Sequence, residues 1–210
     1  MLPKKQNLSR LNIFYKRSYK NIKNKFYSKT LCYQAVFNER KFYNVNFKGA
    51  ILSSCSFKKA IFINVEFLGT NLKKSNFTNA KFKDCTFSAT LMKDANFKNA
   101  EFENCIFVNT NIQKAKNLKI DSIKNIFLSG HKLPEIDYEL LDLFNALKFH
   151  PKLHNTRVLH LKSGKLNSLT LYIIFLSIDV EELKQKLYSL KSKLDTQIIT
   201  AYQLCKIIKS

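Results

Sequence analysis

From Phe37 onward every fifth residue is large and apolar: Phe37, Phe42, Phe47, Leu52, Phe57, Phe62, Phe67, Leu72, Phe77, Phe82, Phe87, Met92, Phe97, Phe102, Phe107 and Ile112. The rule holds at sixteen consecutive positions, and twelve of them are Phe. Two places before each stands a second, mostly small series, running Ala35, Arg40, Val45, Ala50, Cys55, Ala60, Val65, Thr70, Ser75, Ala80, Cys85, Thr90, Ala95, Ala100, Cys105 and Thr110, with Arg40 the one departure. Asn, Lys, Ser, Asp and Glu dominate the remaining positions. A period of five fits neither the 3.6 of a helix nor the 2.0 of a strand. It fits a chain that turns a corner once per pentad, so that every central side chain points at one axis.

The unit is small–polar–large apolar–polar–polar, as in Ala80-Lys81-Phe82-Lys83-Asp84 and Ala95-Asn96-Phe97-Lys98-Asn99. It resembles the pentapeptide-repeat family over about 80 of the 210 residues. The resemblance implies a right-handed square β-helix with four pentads per coil, hence a mainly β solenoid followed by an α-helical C-terminal region. An independent sign agrees: the departures from Phe at Leu52, Leu72, Met92 and Ile112 recur every 20 residues, as stacking on one wall requires. Sixteen pentads then make four coils between Ala35 and Ala115, a column roughly 20 Å tall at ~4.8 Å per coil. An uncapped column exposes Phe rings and open backbone edges. The expected organisation is therefore a basic N-terminal arm or cap (1–34), the β-helix (35–116), and an α-helical C-terminal cap with a dimerisation region (117–210).

Residues 1–29 mix Leu11, Ile13, Phe14, Tyr15, Tyr19, Phe26 and Tyr27 with Lys and Arg. Such a mixture serves either as a cap over the first coil or as a single-strand nucleic-acid contact, with the first ten residues disordered. No apolar run of seven or more and no small-residue cleavage site follows, so no signal peptide is expected. After Lys116 the five-residue rhythm stops. Asp121 is placed to cap a short helix ending near Gly130, and Pro134 to open a helix over Glu135–Phe149 with Ile136, Leu140, Leu143, Phe144 and Leu147 on one face. From Leu169 a 3-4 spacing runs through Ile173, Leu176, Val180, Leu183, Leu187, Leu190, Leu194, Gln197, Ala201, Leu204 and Ile208, as one helix or as two split near Asp179 or Asp195. The stripe Leu183, Leu187, Leu190 and Leu194 fits the seam of a homodimer, and an intramolecular bundle equally.

Catalytic constellations are not found. His150 and His154 stand four apart, but Pro151 lies between them and neither HExxH nor CxxC accompanies them. Ser163-Gly164-Lys165 lacks the upstream glycine of a P-loop. The expectation is a non-catalytic protein without cofactor or metal. Five Cys, three of them in phase with the repeat, read as small buried hydrophobes in a reducing compartment. The cytoplasm follows as the default location, with secretion as a host-directed effector left open. The most apolar window, Leu169–Ile178, is too short to span a bilayer.

The remaining chemistry is electrostatic. Lys plus Arg number 36 against 15 Asp plus Glu, a net charge of +21. A field of that sign favours a polyanionic partner, nucleic acid most simply, although an excess spread over all three segments also fits plain composition. On the Leu/Met/Ile wall Lys73, Lys74, Lys93 and Lys114 are expected outward as one basic ridge, with Lys58, Lys59 and Lys98 on the wall of Phe37, Phe57, Phe77 and Phe97. The wall of Phe47, Phe67, Phe87 and Phe107 shows Leu68, Ile106 and Val108 outward, a seat for the C-terminal helices or a partner. A protein–protein scaffold is the competing function. Some members of the resembled family protect type II topoisomerases by imitating DNA with negative surfaces, which a charge of +21 disfavours here.

Overall fold

The computed structural model describes residues 21–121, 124–129 and 135–210, and the chain falls into two units, Met1–Ser129 and Gly130–Ser210. The first ten residues of the N-terminal arm, its aromatic group from Leu11 to Tyr19, and Gly130, His131 and Pro134 lie outside the described residues.

The described residues of the first unit carry ten strands: β1 (Asn21–Phe26), β2 (Leu31–Tyr33), β3 (Lys41–Asn46), β4 (Ile51–Ser53), β5 (Ile61–Leu68), β6 (Lys81–Lys83), β7 (Thr86–Ser88), β8 (Glu101–Glu103), β9 (Ile106–Val108) and β10 (Ile126–Leu128). Every pairing between them is parallel and joins residues 20 apart, as Phe42 to Phe62, Phe82 to Phe102 and Phe87 to Phe107. The result is a β-solenoid of about five turns. Its interior is a set of columns. Phe42, Phe62, Phe82 and Phe102 stack with centroids 4.9, 4.8 and 4.7 Å apart and near-parallel planes. The columns of Phe47 and Phe37 flank this one and meet it edge-on or tilted, as in Phe42–Phe47 (61°) and Phe62–Phe77 (59°). Opposite it stands the aliphatic column Leu52, Leu72, Met92 and Ile112. Three aromatic columns and one aliphatic column fill the cross-section with buried side chains.

The small series works as hydrogen-bonding pegs. Thr70, Thr90 and Thr110 donate their hydroxyls to the carbonyls of Phe47, Phe67 and Phe87 on the coil before, at 2.9, 2.6 and 3.0 Å. Ser75 donates to Leu52 O in the same way. The Phe47 carbonyl also closes its corner, accepting from Ala50 N–H at 2.9 Å, so both of its lone pairs are used. The residue two after each core side chain takes a positive φ, from Asn24 (51°) through Asn64 (54°) and Asn79 (57°) to Asn109 (46°). Asn and Gly are frequent there because they enter the left-handed region at least cost. Asn44 and Asn64 add an amide ladder, donating to Asn24 and Asn44 at 2.9 Å each.

Two boundaries of the solenoid differ from expectation. Among the described residues pairing is present from Asn21, ahead of Ala35, so residues 21–34 are a further turn and not part of an arm. Ile22, Tyr27 and Cys32 continue the core columns, with Ile22 against Phe42 in register and Tyr27 stacked 5.9 Å from Phe47. At the other end, the expected helix after Asp121 is strand β10: Phe127 pairs with Phe107 and stacks on it at 5.1 Å. Asn125 fills the peg position, donating to Phe102 O at 3.1 Å. The 20-residue register outlasts the five-residue rhythm, and that keeps the chain extended here.

The described residues of the second unit hold four helices, α1 (Tyr138–Ala146), α2 (Ser168–Phe175), α3 (Val180–Lys193) and α4 (Ala201–Lys209). Asp137, not Pro134, opens α1: its carboxylate accepts from Leu140 N–H at 2.8 Å. The 3-4 stripe from Leu169 to Ile208 is cut at both proposed breaks and spans three helices. Asp179 and Thr200 cap α3 and α4 by accepting from Glu182 N–H (3.0 Å) and Gln203 N–H (3.3 Å). α4 packs on α2 and α3, and α1 packs on α3. None of the described helices is long and apolar enough to cross a membrane.

Candidate functional site

The lysine faces of the solenoid are set by register. One coil advances 20 residues, so residues that differ by 20 stand one above the other, ~4.8 Å apart. On the aliphatic wall Lys73 is directly below Lys93, and Lys74 N–H donates to Lys93 O at 3.1 Å. The next column reads Lys74, Asp94, Lys114, with Asp94 N–H donating to Lys114 O at 2.8 Å. All four expected lysines are exposed and near one another, but Asp94 interrupts the ridge. Its carboxylate meets Lys116 Nζ at 3.0 Å. That hydrogen bond, then the Lys116 charge, with Lys93 and Lys74 adding, holds Asp94 below the usual carboxylate range.

On the adjoining wall Lys58 and Lys98 are two coils apart with Thr78 between them, and both are exposed. Lys98 borders a cleft of about 440 Å³ shared with Asn117 and Lys119. Lys59 pairs with Glu39 at 3.6 Å. The wall of Phe42 and Phe62 is different. There Lys81 meets Glu101 at 3.0 Å and Lys83 meets Glu103 at 2.5 Å. These exposed pairs contribute little stability, but they cancel charge on that wall. Lys58, Lys73, Lys74, Lys93, Lys98 and Lys114 have no carboxylate within ion-pair distance among the described residues. Between Phe57 and Lys116 the exposed lysines without an ion pair thus stand on two adjoining walls.

The 20-residue period already placed Lys81 under Glu101 and Lys83 under Glu103, and Asp94 between Lys74 and Lys114. Reading the lysines without the carboxylates missed this. Another missed feature is apolar: Leu31, Tyr33, Val36 and Ile51 are exposed together on the first turns. At the expected seat Ile106 and Val108 are buried and Leu68 is half-buried.

The leucine stripe takes the intramolecular one of its two expected roles. Leu183, Leu187, Leu190 and Leu194 are all buried, at 0–5% exposure, in the second unit's own bundle. They are not a seam held open for another copy. α1 and α4 cover α3 because each carries its own apolar face, Leu140 and Phe144 on one and Leu204 and Ile208 on the other. Lys184, off the stripe, reaches Asp137 Oδ2 at 2.6 Å and Glu139 Oε2 at 3.0 Å, tying α3 to the start of α1. The hydrogen bond to Asp137, then that to Glu139, raises Lys184 above the usual lysine range.

All five cysteines are free and buried. Burial, reinforced by Cys105, pushes the Cys85 thiol up. No three His, Cys, Asp or Glu side chains converge into a metal site among the described residues.

Residues 55–133 match the family described as the pentapeptide repeat region. Among solved structures the chain is similar to a pentapeptide repeat protein from the Arabidopsis thaliana thylakoid lumen, at 16% identity over 76% of this chain and 92% of that one, TM-score 0.34. It is also similar to the pentapeptide repeat protein Rfr23 from the cyanobacterium Cyanothece 51142, at 15% identity over 51% and 84% of the two chains, TM-score 0.20. A third is HetL of Nostoc, a pentapeptide repeat protein involved in heterocyst differentiation regulation, at 12% identity over 58% and 57%, TM-score 0.21. No curated protein matches the chain. Likenesses this weak say nothing of a partner.

Proposed function

This chain is a pentapeptide-repeat protein, and we propose that it is a non-catalytic binding protein whose partner is a polyanion, nucleic acid in the simplest case. One observation carries the reading: Glu101 and Glu103 pair with Lys81 and Lys83 on one wall, while Lys58, Lys73, Lys74, Lys93, Lys98 and Lys114 on two adjoining walls have no carboxylate within ion-pair distance among the described residues. Lysines spaced by coils along a rigid column can track phosphates as point charges. Its compartment, on this reading, is the cytoplasm, where five free cysteines stay reduced. Topoisomerase protection by DNA imitation gains no support, since Glu39, Asp94, Glu101 and Glu103 each stand against a lysine and make no acidic face.

The test is fluorescence anisotropy of the intact chain with duplex and single-stranded DNA across a salt series. Affinity should fall steeply with salt, by about 0.7–0.9 log units per log unit for each phosphate neutralised. Replacing Lys73, Lys74, Lys93 and Lys114 with Glu should abolish binding. Loss of Asp94 to Asn should instead strengthen it, since the ridge becomes continuous. A wild type with no salt-sensitive binding at low ionic strength rejects the reading. A protein scaffold is then favoured by the exposed apolar group Leu31, Tyr33, Val36 and Ile51.

A further inference from the structure

A concave site in the second unit takes no part in that reading. After α1 the chain passes Lys148 and Phe149, turns, and returns through a short antiparallel pairing of His160 with Leu166. The intervening turn is closed by Leu161 N–H to Lys165 O (2.8 Å) and Gly164 N–H to Leu161 O (2.9 Å). Between these segments lies a cleft of about 430 Å³, within the size range of small-molecule sites.

Its lining includes three cations, Lys148, Arg157 and Lys162, and no carboxylate. None of the three has an ion-pair partner among the described residues. Like charges held around one concavity repel, and an anion relieves them. Lys148 is half-buried, and its ammonium lies against the turn beside Gly164. A Cβ there would stand 2.8 Å from Lys148 Nζ. His160 also lines the cleft. It is nine-tenths buried, and its Nε2 has no hydrogen-bond partner among the described residues. Such an atom is costly unless something completes it.

The mouth is aromatic. The Phe149 ring is 75% exposed, packs against the His154 ring at 5.6 Å, and has Lys148 Nζ 5.6 Å from its centroid. A large ring left in water beside unpaired cations suits a ligand that joins a flat heterocycle to a phosphate. We propose that this cleft binds a nucleoside phosphate, its phosphate held by Lys148, Arg157 and Lys162 and its base stacked on Phe149. A phospholipid headgroup carries the same phosphate, but a bilayer surface meets flat or convex faces, and this site is concave.

The test uses the full chain and isothermal titration with AMP, with inorganic phosphate and adenosine as separate arms, and sedimentation with phosphatidylserine vesicles. AMP should bind saturably and more tightly than phosphate or adenosine alone. Lys148→Gln and Arg157→Asn should each weaken AMP about tenfold, the loss of one charge-assisted contact. Asparagine suits the positive φ of 57° at position 157 and keeps that variant folded. Phe149→Leu should remove the preference for AMP over phosphate while phosphate binding persists. The four-lysine solenoid variant should bind AMP as the wild type does, which separates this site from the polyanion reading. The inference is overturned by wild-type chain that does not bind AMP at millimolar concentration, by AMP affinity unmoved in both charge variants while they melt as the wild type does, or by vesicle binding without AMP binding.

Discussion

At each corner of the solenoid the residue two after the core side chain has to adopt a left-handed backbone, and the side chains found there meet that demand unequally. Asn79 and Asn99 do so cheaply, while Ala89, at φ 48°, has no polar side chain to ease it. Ala89 is exposed, and its N–H donates to Val108 O at 2.9 Å, a bond that substitution leaves intact. Ala89→Asn should therefore raise stability by a few tenths to about 1 kcal/mol, read as a higher urea midpoint. The reverse case is Phe77, fully buried and stacked at 5.0 and 4.8 Å on Phe57 and Phe97. Phe77→Ala should cost about 3–5 kcal/mol, because parallel rings above and below cannot close the gap. These two positions also mark what was legible. Phe77 announces itself, since a large apolar residue every fifth place has no other use. The peg residues were legible as small but not as donors, because the carbonyl that Thr70 meets lies 23 residues away. The first turn was hidden because Tyr27 and Cys32 replace Phe and Leu, and Lys25 stands where a small residue is expected. Phe127 was hidden because the pentads between Ile112 and it are irregular, although the 20-residue spacing holds.

Among the elements, α3 shows why a 3-4 stripe names a buried face without naming what buries it. Leu183, Leu187 and Leu190 would look the same against a second copy or against α1 and α4. The deciding signals were local: Asp179 and Thr200 as helix caps, which divide the stripe into segments short enough to fold back on one another. Leu187→Lys therefore has a different expected outcome from that of a dimer seam. A lysine at a site 4% exposed must lose its charge or open the bundle. The second unit should lose helical circular dichroism and thermal stability while sedimentation shows the same oligomeric state as the wild type. A clean dimer-to-monomer shift with helices intact would instead restore the seam. The lysine faces were legible in outline for a similar reason. The walls followed from the period, but charge cancellation by Glu101, Glu103 and Asp94 depends on which residues stack, and that is a property of coils, not of single pentads.

At the level of the whole molecule the two units differ most in how they meet acid. All four histidines lie at position 131 or beyond, within the second unit, and the solenoid has none. His160 is the one whose setting matters: burial, and then the Lys148 charge, lower its pKa from 6.5. A histidine held neutral in the folded state takes up its proton more readily once unfolded, so the unfolded chain binds more protons in the window between the two values. Stability then rises with pH across that window. The contribution is complete above 6.5 and is lost as the pH falls from there toward the lowered value. The solenoid has no histidine to act in that window. Its perturbed carboxylate, Asp94, is lowered from 3.8 by Lys116, so the support it gives is present above that value and lost only in stronger acid. Asp137, lowered from 3.8 by Lys184 and by Leu140 N–H, behaves in the same way. Acidification from about pH 7.5 to about pH 5, the range in which histidines titrate, should accordingly weaken the second unit first. Pulse proteolysis with mapped fragments would show cleavage appearing within residues 135–210 while 21–121 stays resistant. His160→Asn, which keeps a small polar side chain but cannot titrate in that range, should flatten the pH dependence of the second unit. Simultaneous loss of both units, or a slope that survives His160→Asn, would place the acid sensitivity elsewhere.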